Sequence, residues 1–310
     1  MRIVISEFMD AAAVASLRGS FLVDYVPTLV DDREALLAAV ADAQALIVRN
    51  RTRVDADLIA RASQLRVIGR LGVGLDNIDT GACEVSGIEV FPATGANALA
   101  VAEYVICAAM ILLRGAWHAS AAVSGGRWPR AALSDGREAA GKTLGLIGFG
   151  GIGQLAAGRA AALGMRVVAS DPALSPDLPL WKEQAVRPLP LERLLAESDV
   201  VSLHVPLTEA TRGLLDASRI AAMKAGAVLI NTSRGGIIDE SALVAALRQG
   251  HLGGAALDVF KQEPLPAGSI LADVPNLILT PHVAGVTAES NVRVSSMIAE
   301  RVARFLSDDA

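Results

Sequence analysis

The sequence predicts an α/β protein made of two doubly wound parallel sheets, each covered by helices on both faces. Three observations predict it. Short β-branched runs alternate along the chain with Ala- and Leu-rich stretches of helical period. The runs are continuously apolar rather than alternating, as strands buried on both faces must be. The chain has 310 residues, 52% hydrophobic and 20% charged, which leaves room for two cores and excludes disorder.

In the first half, strands are expected at residues 2–5, 45–48, 66–69 and 88–91, with helices at 10–17 and 55–62. A long helical pattern runs from 98 to about 123. Residues 124–141, rich in Gly, Arg and Ser and containing Pro129, read as a connection. A second series then begins, with strands expected at 143–147, 166–169, 200–204, 227–231, 254–258 and 277–280 and a helix at 154–163. The last pattern, 287 to about 306, is helical. The break near residue 98 and this late helix suggest a first domain that recruits the C-terminus.

Lys plus Arg is 28 and Asp plus Glu is 33, a net charge of −5. That balance argues against a non-specific nucleic-acid binder or a protein that coats anionic membranes. Two cysteines, Cys83 and Cys107, make neither a disulfide framework nor a metal cluster, so no metal site is expected and a reducing compartment fits. The N-terminal apolar run is short and carries Glu7 and Asp10, unlike a signal peptide. The apolar stretch 98–113 is interrupted by Glu103 and followed by Arg114, short of a membrane span. A soluble cytoplasmic protein is expected.

The strongest local signal is Gly148, Gly150 and Gly153, a GxGxxG that follows a predicted strand and opens an apolar helix. The first glycine permits the tight turn, the second lets a pyrophosphate approach the backbone, and the third lets helix and strand pack closely. Phosphate would sit on free N–H groups at the helix N-terminus. The next strand leads to Asp171, 171 − 153 = 18 residues on, near the roughly 20 typical of a ribose-binding carboxylate. Asp171 would accept from the ribose hydroxyls and repel a 2′-phosphate. Pro172 and Ala173 follow it, with no adjacent arginine. The cofactor expected is NAD rather than NADP.

Three later motifs each end a predicted strand, where open α/β sheets bind ligands. They place Arg234, Glu263 and His282 after successive strands. Singly, each is ordinary; together, beside a dinucleotide turn, they match the needs of hydride transfer from a 2-hydroxy acid. A guanidinium holds the carboxylate and polarises the carbonyl. A histidine exchanges the hydroxyl proton near neutral pH. A carboxylate orients that imidazole and favours its charged form.

These segments, with 201–208, 231–240, 254–260 and 280–282, resemble the D-isomer-specific 2-hydroxyacid dehydrogenases, and the resemblance spans nearly the whole chain. It implies two Rossmann-like domains: a substrate-binding domain of residues 1–97 plus 286–310, completed by the C-terminal helix, and an NAD-binding domain of residues 98–285. It implies Arg234 on the substrate carboxylate, His282 as acid/base and Glu263 as its partner. The cofactor set it implies is Gly148, Gly150, Gly151, Ile152, Gly153, Asp171, His204, Val205, Pro206, Thr232, Ser233, Asp258 and Gly285, with Asp258 on the nicotinamide carboxamide. A homodimer is also implied. Formate-oxidising members carry Gln where this chain has Glu263, so formate is not expected. An NADH-sensing, corepressor-like binding protein on the same fold is the rival class.

Arg49, Arg51 and Arg53 follow the strand 45–48; in an extended segment they would share a face. Arg70 ends the next strand. Four arginines exceed the need of one carboxylate and suggest a second anion on the substrate. The Gly72, Val73 and Gly74 loop can offer N–H groups to the carboxylate. Asn50 and Asn97 complete the expected substrate set. These segments resemble the 3-phosphoglycerate dehydrogenases, and residues 5–10 resemble the (S)-sulfolactate dehydrogenases. The leading expectation is a 3-phosphoglycerate/phosphohydroxypyruvate type of substrate, with sulfolactate, or hydroxypyruvate and glyoxylate, as alternatives.

Overall fold

A computed structural model describes residues 1–308; residues 309 and 310, assigned by sequence to the first domain, lie outside the described residues. The chain divides into two compact units. One comprises residues 1–97 with the segment from Val286 onward, the other Ala98–Gly285.

The first unit is built on five strands: β1 (Arg2–Ile5), β2 (Leu22–Tyr25), β3 (Ala45–Val48), β4 (Val67–Arg70) and β5 (Glu89–Pro92). Their order is β2-β1-β3-β4-β5 and every pairing is parallel. Successive side chains feed opposite faces. Ile3, Ile5, Ala45, Ile47 and Val67 pack with Val14, Leu17, Ile298, Val302 and Leu306, from helices Ala11–Arg18 and Ala288–Asp308. Val4, Leu46, Val48 and Ile68 pack with Leu36, Leu37, Val40 and Leu58, from helices Arg33–Val40 and Ala56–Arg61. Both faces are thus buried, which is why these strands are apolar throughout. Gly69 lets the C-terminal helix come close: a Cβ there would lie 2.5 Å from Ile298 Cγ2.

The second unit has seven strands: β6 (Thr143–Ile147), β7 (Arg166–Ser170), β8 (Arg187–Pro188), β9 (Val200–Leu203), β10 (Val228–Asn231), β11 (Gly254–Leu257) and β12 (Leu277–Leu279). The order is β12-β11-β10-β9-β6-β7-β8, again all parallel. The winding reverses between β6 and β9, the crevice where such sheets bind ligands. Leu144, Leu146, Val200, Val228 and Ile230 face helices Ala98–Arg114 and Gly151–Ala162; Val201, Leu203, Leu229 and Leu257 face the other side, including helix Glu240–Arg248.

The structure departs from the expected elements in a few places. The long helix stops at Arg114, because Gly115 adopts φ +67; a short 3₁₀ turn and helix Ser120–Ser124 follow at a 66° bend. Strand β2 is an edge strand whose Asp24 pairs with Arg2, so it lacks the apolar run of its neighbours. The two-residue β8 is too short to leave a pattern. Among the described residues, no single helix is long and apolar enough to cross a membrane.

Candidate active site

The glycine turn links β6 to helix Gly151–Ala162. Gly148 has φ +92, and a Cβ on it would lie 2.5 Å from the His204 carbonyl oxygen. A Cβ on Gly153 would lie 2.7 Å from the Gly148 carbonyl oxygen, so both positions require glycine. Gly150 and Gly151 are exposed and face open space, and no side chain caps the helix. The turn therefore leaves an open cradle at a helix N-terminus, suited to a pyrophosphate. Asp171, after β7, accepts from Phe149 N at 2.8 Å and from Ala173 N at 3.0 Å, which aims its carboxylate along the turn. Thr232 Oγ1 is buried without a partner beyond β10. An open cradle, an aimed carboxylate and an unsatisfied hydroxyl fit a dinucleotide.

The three residues expected to carry the chemistry follow β10, β11 and β12, which are neighbours in the sheet. Glu263 and His282 meet: His282 Nδ1 lies 2.8 Å from Glu263 Oε2, while Glu263 Oε1 accepts from Phe260 N at 3.0 Å. A carboxylate can only accept, so Nδ1 carries the proton and Nε2 is left to exchange one with substrate. The Glu263–Pro264 peptide bond is cis. Arg234 is set by its own loop. Asn231, buried at the end of β10, donates from Nδ2 to the Arg234 carbonyl at 2.9 Å and accepts from Ser233 N at 3.0 Å. Ser233 Oγ donates to the Leu203 carbonyl, and Arg234 Nη1 to the Ser233 carbonyl. Gly235 brings this loop against the glutamate loop, since a Cβ there would lie 1.8 Å from the Phe260 carbonyl oxygen.

His204 is the other histidine near this region, and it is unsuited to acid/base work. Burial pushes it down to about 4; Nε2 lies 3.0 Å from Ser202 Oγ and Nδ1 has no partner. His282 is half exposed and has the carboxylate.

Asp258, expected on the nicotinamide carboxamide, also holds the His282 loop. It is 1% exposed, and both its oxygens accept from the His282 loop: from Thr280 Oγ1 at 2.6 Å, Val283 N at 2.8 Å and Ala284 N at 2.8 Å. Sequence reasoning missed Asn231 and Thr280 as site residues, although both lie in segments it singled out.

The arginines of the first unit do not share a face. After β3 the chain bends at residues 50–52. The cause is Glu7, a buried carboxylate that accepts from the N–H groups of Arg49, Arg51 and Thr52. Asn77 Nδ2 holds the Arg49 and Thr52 carbonyls from the other side. Arg49 Nη2 reaches Asn291 Oδ1 at 2.6 Å and the guanidinium lies over the Phe8 ring. Arg51 is exposed and paired with Asp31, and Arg53 is exposed. Arg70 turns onto its own loop, donating to the Leu71 and Gly74 carbonyls. Gly72 has φ +156, and a Cβ there would meet the Arg70 guanidinium. Asn50 and Val73 are exposed, and Asn97 Oδ1 is buried without a partner.

The turn, Asp171 and the dyad define a dinucleotide-dependent oxidoreductase. Residues 106–284 match the family described as D-isomer specific 2-hydroxyacid dehydrogenase, NAD binding domain. The chain is 55% identical to the (S)-sulfolactate dehydrogenase of Chromohalobacter salexigens over 98% of both chains. It is 39% identical to the D-3-phosphoglycerate dehydrogenase of Mycobacterium bovis, over 97% of this chain and 56% of that one. It superposes on the TT0316 protein of Thermus thermophilus with a TM-score of 0.90 at 38% identity, covering 99% and 97% of the two chains. The chain therefore belongs to the D-isomer-specific 2-hydroxyacid dehydrogenase family, and it is an NAD-dependent dehydrogenase.

Cofactor choice gives a first expected result. Asp171→Ala should weaken NAD binding by roughly tenfold or more, through loss of hydrogen bonds to a charged acceptor, and should narrow the preference against NADP. Nucleotide titration followed by tryptophan fluorescence measures both. A wild-type chain that binds NADP as tightly as NAD would overturn the role given to Asp171.

Proposed function

We propose that the chain interconverts (S)-sulfolactate and sulfopyruvate, with Arg234 on the carboxylate and His282 exchanging the proton on the C2 oxygen. The observation that carries a second anion is Arg49. Its guanidinium is half-buried, and burial lowers its pKa. Among the described residues no carboxylate lies within ion-pair distance of it; Glu7, which holds backbone N–H groups, acts on it only through its nearby charge. A half-buried cation with the Glu7 charge nearby but no carboxylate on its guanidinium can take an anionic ligand. Sulfonate and phosphate would both serve. The 55% identity to a sulfolactate dehydrogenase, against 39% to a phosphoglycerate dehydrogenase, supports the sulfonate.

NAD, held at the Gly148–Gly153 turn and Asp171, would supply the hydride acceptor in oxidation and, reduced, the donor in reduction. The protein's part is to hold and to move the proton. In reduction, the charged His282 imidazole gives its Nε2 proton to the developing alkoxide while Glu263 steadies the ring. Arg234 binds the carboxylate and polarises the carbonyl. On this reading the enzyme is cytoplasmic and homodimeric; Trp117 and Trp128, 65% and 79% exposed, are candidates for burial in the dimer. Sedimentation analysis tests that assembly.

The test of substrate is NADH oxidation with sulfopyruvate, phosphohydroxypyruvate, hydroxypyruvate and glyoxylate. The highest kcat/KM is expected for sulfopyruvate. A preference for phosphohydroxypyruvate would favour the phosphate reading, and a preference for glyoxylate would remove the second anion altogether.

A further inference from the structure

The His282 turn lies beyond the sheet. Strand β12 ends at Leu279, and His282 itself has φ +56, a left-handed backbone that β-carbon-bearing residues seldom adopt. Asp258 holds this turn from inside, through Val283 N and Ala284 N, and it also accepts from the Thr280 hydroxyl. Thr280 has one hydroxyl proton. Asp258 can only accept, so that proton goes to Asp258. Thr280 Oγ1 also lies 2.6 Å from the Tyr104 hydroxyl, and in that contact Tyr104 must donate. The direction is thus fixed from Tyr104 to Thr280 to Asp258 to the turn.

Tyr104 sits in the middle of helix Ala98–Arg114, among the buried residues Val101, Ala102, Val105 and Ala108. A phenol there costs stability unless its hydroxyl is satisfied. Burial, with Asp258 adding to it, raises Tyr104 above its ordinary value and keeps the donor protonated.

We propose that Tyr104, Thr280 and Asp258 are positioning residues for His282, a hydrogen-bonded support that keeps Nδ1 on Glu263 and holds Nε2 in one direction. The proposal rests on His282 being the acid/base group. The support touches neither the substrate nor the second anion, so its effect should be the same with every 2-oxo acid.

The test compares full-length Tyr104→Phe, Thr280→Val and Thr280→Ser with wild type. Two readouts are used: steady-state reduction of whichever 2-oxo acid the wild type turns over, and titration of the His282 ring by NMR without cofactor. Tyr104→Phe should lower kcat by roughly three- to tenfold, the worth of one neutral hydrogen bond, while KM changes by less than about twofold. Thr280→Val should lower it further, and Thr280→Ser should restore it. In both damaging variants the ring titration should differ from wild type, because the imidazole loses its aligned carboxylate. Variants with wild-type kcat and ring titration, and only a lower Tm, would make the three residues structural and overturn the proposal. If Thr280→Val fails to fold, Tyr104→Phe, which keeps the ring, decides. A wild type inactive on every 2-oxo acid would sink the enzymatic reading instead, and the ring titrations would still judge the support.

Discussion

Arg234→Ala is expected to lower kcat/KM by roughly 10²- to 10⁴-fold for every 2-oxo acid tested, because it removes up to two charge-assisted hydrogen bonds worth about 1.5–3 kcal/mol each. The loss should not depend on what lies at C3, since every substrate carries the carboxylate. Arg234→Lys should recover only part of it: an ammonium restores the charge without the planar fork that grips both carboxylate oxygens. The loop should survive the change. Asn231 holds the Arg234 carbonyl and the Ser233 N–H, and Ser233 holds the Leu203 carbonyl, so these contacts remain when the guanidinium and its bond to the Ser233 carbonyl are removed. NAD binding by Arg234→Ala, measured by fluorescence titration, should therefore stay close to wild type. Reduction of glyoxylate that falls by less than about tenfold would remove Arg234 from the carboxylate.

Much of this fold is legible because parallel sheets bury both faces. Ile3 and Val4, or Leu229 and Ile230, go to different cores and are both apolar. What was hard to read lies where that burial lapses, as in edge strand β2 with its charged Asp24, or where one residue redirects the chain, as Gly115 does. The site follows the same division. Arg234, Glu263 and His282 could be placed from the sequence because each follows an apolar strand. The hold of Asp258 on the His282 loop could not, because it depends on a turn 22 to 26 residues away folding back onto its carboxylate. The arginine spacing misled for a related reason. A shared face assumes an extended chain, and Glu7, more than 40 residues earlier, draws the N–H groups of Arg49, Arg51 and Thr52 into a bend.

That bend makes unequal predictions for arginines that look alike in sequence. Arg49→Ala should lower kcat/KM for sulfopyruvate by roughly ten- to a hundredfold, the worth of one charge-assisted hydrogen bond. The same change should alter hydroxypyruvate and glyoxylate reduction by less than about threefold, since neither substrate brings a second anion. Arg51→Ala should do little to either class. Its guanidinium is exposed and already paired with Asp31, and exposed pairs are worth little. Arg70→Ala should impair all substrates together. Its guanidinium donates to the Leu71 and Gly74 carbonyls, so its loss disturbs the glycine loop that the sequence leads one to expect on the carboxylate every substrate carries. Asn291→Ala should mimic Arg49→Ala in a weaker form, because Asn291 Oδ1 aims the guanidinium without neutralising it. The four variants assayed on the same substrates separate selection of the second anion from general loop damage. If Arg49→Ala treats doubly and singly anionic substrates alike, Arg49 is not the selector. Since Arg51→Ala and Arg70→Ala are expected to treat the two classes alike, that result at Arg49 would make a hydroxy acid with a small neutral tail a better reading than sulfolactate.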